Sequence, residues 1–366
     1  MRAHKVPATY YSGWKVTGNQ DSFYVFYKNN LSEKGILKPF RRVRKITTEH
    51  GYFMDEDFYY IDFSIKGISF KLQNEINDFL NQRNYSIQCV DTLADGISKG
   101  NNIVIVDDYF KFMAYINDIN SWTIKDNQGN EISKDDFNED LSNYIFDKIG
   151  IIIEENYFAN YLENMWPDIK NSILRDTSTI NSGDNIMLSR KNDLLEFFVI
   201  QYLRLDKRIK TDITPKLKFF EKLFLDIGAD NKMISEMKDD GLLVEDVYFF
   251  GVLLDAARGD KRRINNQISE IDKNYYIDIL KAPSGFGYLT STSPCIFSKV
   301  NNNSIEEMLF PISSEYCLRF RNKKTSIVSG KYIIQSAQDV KDVNNHVANT
   351  SEDIVISNLE YINILI

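Results

Sequence analysis

Residues 191–203 read Lys-Asn-Asp-Leu-Leu-Glu-Phe-Phe-Val-Ile-Gln-Tyr-Leu, and they form the strongest helix signal in the chain. The spacing of the apolar residues predicts a helix from about Arg190 to Arg208. Its most apolar part, residues 194–200, is interrupted only by Glu196 and is too short to cross a bilayer. The segment therefore predicts a core helix of a protein that does not enter a membrane.

This helix lies in a helical middle, residues 133–270, with strand-rich sequence on both sides. Ser133 and Asp136 have the spacing of a capping box, and Pro167 predicts the end of a helix or a kink in it. Residues 271–366 predict strands and one helix. The fold class expected is α+β, in which the strand-rich N- and C-terminal parts form a common sheet layer packed on the helical middle.

Residues 85–132 predict a β-rich insertion within a single domain that spans residues 1–366. Strands are expected at residues 85–90, 103–106 and 110–116. A hairpin turn is expected at Asp126-Asn127-Gln128-Gly129-Asn130, because these residue types favour tight turns.

The net charge of −8 argues against nonspecific binding of nucleic acid, which needs a basic surface. Two basic runs, residues 41–45 and 258–263, could still form a local basic groove. The three cysteines are widely spaced and predict neither a disulfide framework nor a metal site. With no apolar leader or long apolar run, the expected location is the cytoplasm.

Four short motifs, in order along the chain, resemble those of the bacterial domain-of-unknown-function family 4238. They are His4, Val6, Pro7, Tyr10 and Tyr11; then Gln201 and Arg204; then Thr290-Ser291-Thr292-Ser293-Pro294 and Phe310-Pro311-Ile312-Ser313; and last Asn344 with Ile354-Val355-Ile356. Thr292 and Ser293 stand where the family usually has Asp-Asn, and residues 85–132 have no counterpart in the family pattern. The resemblance implies no established reaction, and it points to bacterial defence or toxin systems.

These motifs contain the candidate site residues, with the exception of Arg208. His4 could transfer a proton, Arg204 could hold an anionic group, and Ser291 is the third candidate catalytic residue. The candidate substrate-binding residues are Gln201, Arg208, Thr290, Thr292 and Asn344. Phe197, Gln201, Arg204 and Arg208 are spaced 4, 3 and 4 apart, so they share one face of the predicted helix.

Two functions remain open. The first is an effector of bacterial defence or toxin type that acts on a phosphate-bearing substrate, RNA or a nucleotide, as a metal-independent ribonuclease or nucleotide hydrolase. The second is a noncatalytic sensor or protein-interaction module, with structural motif residues and a protein partner encoded nearby. The Asp pairs at 107–108, 135–136 and 239–240 are interpreted as caps or loops. No metal and no cofactor are expected, and the sequence leaves the oligomeric state open.

Overall fold

The computed structural model describes residues 3–4, 10–15, 23–27, 54–55, 72–91, 102–203, 244–301, 304–325, 329–351 and 354–358. Helices form the middle of the chain and strands flank them, which confirms the α+β class. The basic run 41–45, the Asp239-Asp240 pair and the candidate residues Arg204 and Arg208 lie outside the described residues.

The described helices are α1 (Gln73–Arg83), α2 (Tyr109–Tyr115), α3 (Lys134–Gly150), α4 (Glu163–Ser178), α5 (Lys191–Leu203), α6 (Val244–Ala257), α7 (Arg262–Asn274) and α8 (Ala337–Thr350). The described strands are β1 (Ala3–His4), β2 (Tyr24–Tyr27), β3 (Met54–Asp55), β4 (Ser86–Val90), β5 (Ile103–Ile105), β6 (Thr123–Lys125), β7 (Tyr275–Lys281), β8 (Thr290–Ser291), β9 (Ile296–Asn301), β10 (Ser304–Pro311), β11 (Tyr316–Asn322), β12 (Tyr332–Ile334) and β13 (Ile354–Ser357).

The helical middle begins where the capping pattern predicts. The backbone N–H of Asp136 donates to the Ser133 hydroxyl over 3.1 Å at the start of α3. A π-helical segment, Ile151–Leu162, connects α3 to α4. Of the two effects predicted for Pro167, the end of a helix does not occur, because α4 continues through Pro167 to Ser178.

Helix α5 is buried on nearly every side. Leu195, Phe197, Phe198 and Ile200 are each at most 1% exposed. The ring of Phe198 contacts Phe310 and Phe320 on the neighbouring sheet, at centroid distances of 5.4 and 4.3 Å. The helix is therefore the centre of the core, as its apolar sequence predicts.

The largest described sheet has five strands in the order β12-β7-β11-β10-β9. Its neighbours β7, β11, β10 and β9 are antiparallel, and β12 runs parallel to β7. One face of the sheet packs on the helical middle through residues such as Ile279, Leu318 and Phe320. Part of the other face joins the apolar side of α8 in a second core cluster that includes Leu280, Leu309 and Cys317.

The two ends of the chain meet in a second sheet, of order β2-β13-β8. There the C-terminal strand β13 pairs with the N-terminal strand β2, so the expected joining of N- and C-terminal strands occurs. The described strands do not form one continuous sheet, however. They also form a sheet of order β5-β4-β6 and the short pair β1-β3.

The described residues of the segment 85–132, which exclude 92–101, form a three-stranded sheet with helices, and one expected strand is wrong. Residues 110–116, predicted as a strand, lie mainly in helix α2. The Asp108 carboxylate caps that helix by accepting from the N–H of Lys111 over 2.9 Å. The buried residues Tyr109, Phe112 and Tyr115 recur every three positions, which is close to the period of a helix. The prediction of a strand did not use this spacing.

Candidate functional site

Tyr10 connects the N-terminal motif to the central helix. Its ring lies 6.2 Å from Phe197 and 5.5 Å from Trp166, measured between centroids. The Tyr10 hydroxyl donates to the carbonyl of Pro311 and lies 2.9 Å from the Thr290 hydroxyl. Because Tyr10 and Thr290 are both 0% exposed, their contact holds the late motif at residues 290–294 from inside the protein. Burial raises the pKa of Tyr10 well above its usual value, so the phenol remains protonated.

Trp14 and Gly13 fix the same N-terminal segment to the late motifs. The indole N–H of Trp14 donates to the carbonyl of Tyr288 over 2.8 Å. Gly13 packs so closely on the loop after β10 that an added Cβ would lie 2.8 Å from the Cα of Ser313. The N-terminal and late motifs therefore meet in one cluster around Tyr10 and Trp14, which we call the motif hub.

Ser291 and Thr292, at the end of β8, occupy a closed turn. The Ser291 hydroxyl donates to the carbonyl of Ser293 over 3.0 Å and accepts from the N–H of the same residue. Ser291 is 1% exposed, and Thr292 is half-buried. A nucleophilic hydroxyl needs a base and access to substrate, whereas both hydrogen bonds of Ser291 stay within its own turn. The catalytic role of Ser291 stays a prediction.

Asn344 fastens helix α8 to the loop that precedes β8. Its side-chain oxygen accepts from the N–H of Leu289 over 2.8 Å, and its amide donates to the carbonyl of Gly287 over 2.9 Å. Asn344 is 0% exposed. The amide thus satisfies backbone groups that would otherwise be buried without partners.

Gln201 differs from the other motif residues. It is 2% exposed, and neither its amide nitrogen nor its amide oxygen has a hydrogen-bond partner in the described part of the chain. The buried indole N–H of Trp166 is likewise unpaired among these residues. Gln201 lies one turn after Phe197, whose ring stacks on Trp166 at 4.2 Å. Buried polar groups without partners are rare in native proteins and call for an explanation.

The proposed meeting of His4 with Arg204 stays a prediction. The backbone of His4 pairs with Met54 in the β1-β3 ladder, and its side chain is not among the described parts. Arg204 and Arg208 also lie outside the described residues.

The second basic run is occupied by ion pairs. Arg258 pairs with Glu75, Arg262 with Asp260 and Arg263 with Asp255. Lys261 pairs with Glu196. Each of these cations thus has a carboxylate beside it, which lowers its attraction for a nucleic-acid backbone.

Sequence analysis missed a polar cluster around Glu196, the one charge within the apolar part of α5. This carboxylate is 7% exposed and accepts from the hydroxyls of Tyr157 and Tyr161, each over 3.1 Å. Lys261 lies 2.9 Å from the same carboxylate and 3.7 Å from the centre of the Tyr161 ring. A buried charge needs such partners, so the position of Glu196 within an apolar run was the available signal.

A second missed cluster lies on the five-stranded sheet. Asp278 is 0% exposed and accepts from Arg319 over 2.9 Å and from Arg321 over 2.6 Å. Two arginines spaced two apart on a strand point to the same face, which is the pattern that could have revealed the cluster.

Among the side chains that the structure describes, no group of three or more His, Cys, Asp or Glu residues could hold a metal ion. Burial raises the pKa of the Cys295 and Cys317 thiols above the usual value, which leaves them unreactive. No described helix is both long and apolar enough to span a membrane.

Comparison with known proteins gives one match. The family model described as "Protein of unknown function (DUF4238)" matches residues 130–360, more than half of the chain. No curated protein and no solved structure matches. The three-stranded sheet β5-β4-β6 precedes the matched residues, as does the N-terminal part of the motif hub.

Proposed function

The chain belongs to the DUF4238 family, and we propose that it is a noncatalytic sensor or protein-interaction module whose motif residues hold the family domain together. One observation carries the proposal. The polar groups of Thr290, Ser291 and Asn344 lie in the interior, at most 1% exposed, where neighbouring protein groups engage them. Polar groups engaged in this way specify a fold, and they are not available to a substrate.

The docking surface for the protein partner is the outer face of the three-stranded sheet. Ile103 and Ile105 on β5 are 69% and 55% exposed. Val90, the direct cross-strand neighbour of Ile103, is 37% exposed, so the three side chains form one aliphatic patch. Contiguous exposed apolar side chains are typical of interaction sites. This patch lies ahead of the part of the chain that matches the family.

The test uses the protein encoded by the neighbouring gene and size-exclusion chromatography. We expect the wild-type chain to co-elute with that protein, and the double variant Ile103→Ser/Ile105→Ser to elute alone with an unchanged melting temperature. Met187→Ser is the matched control, because Met187 is a 90% exposed apolar residue away from this sheet. Co-elution of the double variant, or turnover of RNA or nucleotides by the pure chain, would refute the proposal.

Gln201 favours a second candidate function, an effector of bacterial defence or toxin type acting on RNA or a nucleotide without a metal. Its amide, which has no hydrogen-bond partner among the described residues, would contact the ligand. His4 would move the proton, and Arg204 would hold the phosphate. If His4→Ala and Arg204→Ala both fold and keep full toxicity in cells, this candidate is excluded.

The same candidate predicts opposite effects of Gln201→Met on stability and on binding. Without ligand, the variant should be more stable by about 1 kcal/mol, because it removes a buried amide that has no partner in the described part of the chain. With nucleoside monophosphates as probes, it should lose any increase in melting temperature that the wild type shows. Gln338→Met, at an exposed position of α8, is the control and should change neither quantity.

A further inference from the structure

The cluster around Glu196 holds the ammonium group of Lys261 between a carboxylate and two aromatic rings. The Nζ of Lys261 lies 2.9 Å from Oε1 of Glu196. The same Nζ lies 3.7 Å from the centre of the Tyr161 ring and 5.9 Å from that of Tyr157. The two rings are stacked, with their centroids 5.7 Å apart. Aromatic ring faces beside a carboxylate are the groups with which proteins recognise organic ammonium ions.

The walls of this cluster are held by contacts in which the lysine takes no part. Tyr157 and Tyr161 belong to the π-helical segment Ile151–Leu162 and donate to the two oxygens of Glu196, each over 3.1 Å. Burial raises the pKa of both phenols, so their hydroxyls remain donors. π-Helical turns are frequent at functional sites. The carboxylate and the two rings therefore form a preformed site for a cation.

Lys261 is the member of the cluster that another group can replace. Its side chain is 29% exposed, so solvent reaches the cluster where the lysine lies. It belongs to the short connection between α6 and α7, in which its neighbours Asp260 and Arg262 pair with each other. In the described part of the chain, the recorded side-chain contacts of Lys261 are with Glu196 and the two tyrosines. Its departure therefore leaves the surrounding ion pairs intact.

The charge of the cluster determines which ligand can take the place of the lysine. Among the described residues, Lys261 is the one cation recorded in contact with the Glu196 carboxylate. Glu196 is 7% exposed, and a buried charge without a counter-charge is strongly unfavourable. A group that displaces Lys261 must therefore be a cation. The face of the Tyr161 ring favours an organic ammonium group, which keeps little water around it, over a hydrated metal ion.

We propose that Glu196, Tyr157 and Tyr161 form a binding site for an organic ammonium group, and that Lys261 occupies this ammonium site as an internal ligand. The ammonium group of an external ligand displaces Lys261 and releases the lysine side chain to solvent. This changes the surface at the connection between α6 and α7. The inference rests on the proposed function in one respect: binding of the ammonium group is the event that the sensor detects.

The experiment follows thermal unfolding of the full chain during titration with tetramethylammonium chloride, with sodium chloride at the same ionic strength as reference. Lys261→Ala should melt at a lower temperature than the wild type, and tetramethylammonium should raise that temperature saturably. The wild type should need at least about tenfold more tetramethylammonium for the same increase, because Lys261 competes for the site. Lys111→Ala is the control. It removes an exposed lysine paired with Asp107, and tetramethylammonium should have no specific effect on it.

Two further variants, both made in the Lys261→Ala chain, test the aromatic wall. Tyr161→Phe keeps the ring face and should still bind tetramethylammonium. Tyr161→Leu loses the ring face and should bind about fivefold more weakly, the effect of one lost cation–π contact. Calorimetric titration of the wild type with tetramethylammonium gives a second measurement that does not depend on the folding of any variant.

The proposal is overturned if neither the wild type nor Lys261→Ala binds tetramethylammonium saturably, or if sodium chloride has the same effect. It is also overturned if Tyr161→Leu binds as tightly as Tyr161→Phe. The chromatography with the protein partner is a separate readout. If tetramethylammonium binds but the chain does not co-elute with that partner, the ammonium site stands and the proposed function fails. If co-elution occurs without ammonium binding, only this inference fails.

Discussion

At the scale of single residues, four members of the motifs that carry the family resemblance lie in the interior of the protein: Gln201, Thr290, Ser291 and Asn344. The sequence identifies Gln201, Thr290, Ser291 and Asn344 as special without saying whether they face a substrate or the core. Residue types that bind ligands, such as Asn and Ser, also satisfy buried backbone groups. Burial depends on contacts between distant segments, such as Tyr10 with Thr290, and short-range sequence patterns do not contain that information.

Asn344→Ala tests this structural role directly. The variant leaves the N–H of Leu289 and the carbonyl of Gly287 buried without their side-chain partner. We expect the free energy of unfolding to fall by about 2–4 kcal/mol, measured by urea denaturation. Asn345→Ala, at the adjacent and more exposed position, should cost less than about 0.5 kcal/mol. Equal effects at the two positions would contradict a structural role for Asn344.

At the scale of elements, prediction succeeds where one segment determines its own structure. The α5 helix, the Ser133 cap and the C-terminal strands follow from local spacing and turn chemistry. Prediction fails for residues 110–116, where aromatic residues suit both a strand and a helix. It also misses the clusters around Glu196 and Asp278, because each joins elements far apart in sequence.

Tyr85 provides a test of how the small sheet is attached to the helical middle. Its hydroxyl donates to Asp140 on α3 over 2.7 Å, and Arg83 lies 2.7 Å from the same carboxylate. Burial, followed by the hydrogen bond to Asp140, raises the pKa of Tyr85 from 10.0 to about 12. The folded protein thus holds this proton more tightly than the unfolded chain does. The stabilisation is complete below about pH 10 and is lost as pH rises towards 12.

The measurement is the absorbance of ionised tyrosine during an alkaline titration. The difference between the wild type and Tyr85→Phe should show one tyrosine that ionises near pH 12. The stability of the wild type should decline more steeply than that of the variant between about pH 10 and 12. A difference titration centred at the ordinary tyrosine pKa would show that the contact with Asp140 is absent.

At the scale of the whole molecule, one core joins the N-terminal segment, the helices and the C-terminal strands. The cluster of buried apolar residues runs from Tyr10 to Ile356. Composition and spacing predict the class of fold. The packing of the N-terminal segment against the C-terminal strands is visible only in the structure. The matched family range starts at residue 130, yet Tyr10 and Trp14 fill the interior of the domain that it defines.

Gly13→Ala should disturb the packing of the N-terminal segment on the loop after β10. The added methyl group would lie 2.8 Å from the Cα of Ser313 and 3.0 Å from the carbonyl oxygen of Ile312, so the backbone would have to move. We expect a loss of about 1–3 kcal/mol in stability and faster cleavage in limited proteolysis. Ser12→Ala removes only a 3.3 Å contact with Lys170 and should behave like the wild type. If Gly13→Ala melts with the wild type, the N-terminal segment does not pack as described.

The bond between Tyr10 and Thr290 links residues 280 positions apart, which matters while the protein is being made. A ribosome adds about 5–20 residues each second, so the aromatic N-terminal segment emerges tens of seconds before its partners exist. During that interval the aromatic side chains of this segment are exposed to solvent, and chaperones can bind them. The native contacts of this segment can therefore form only after residues 288–311 have been made as well.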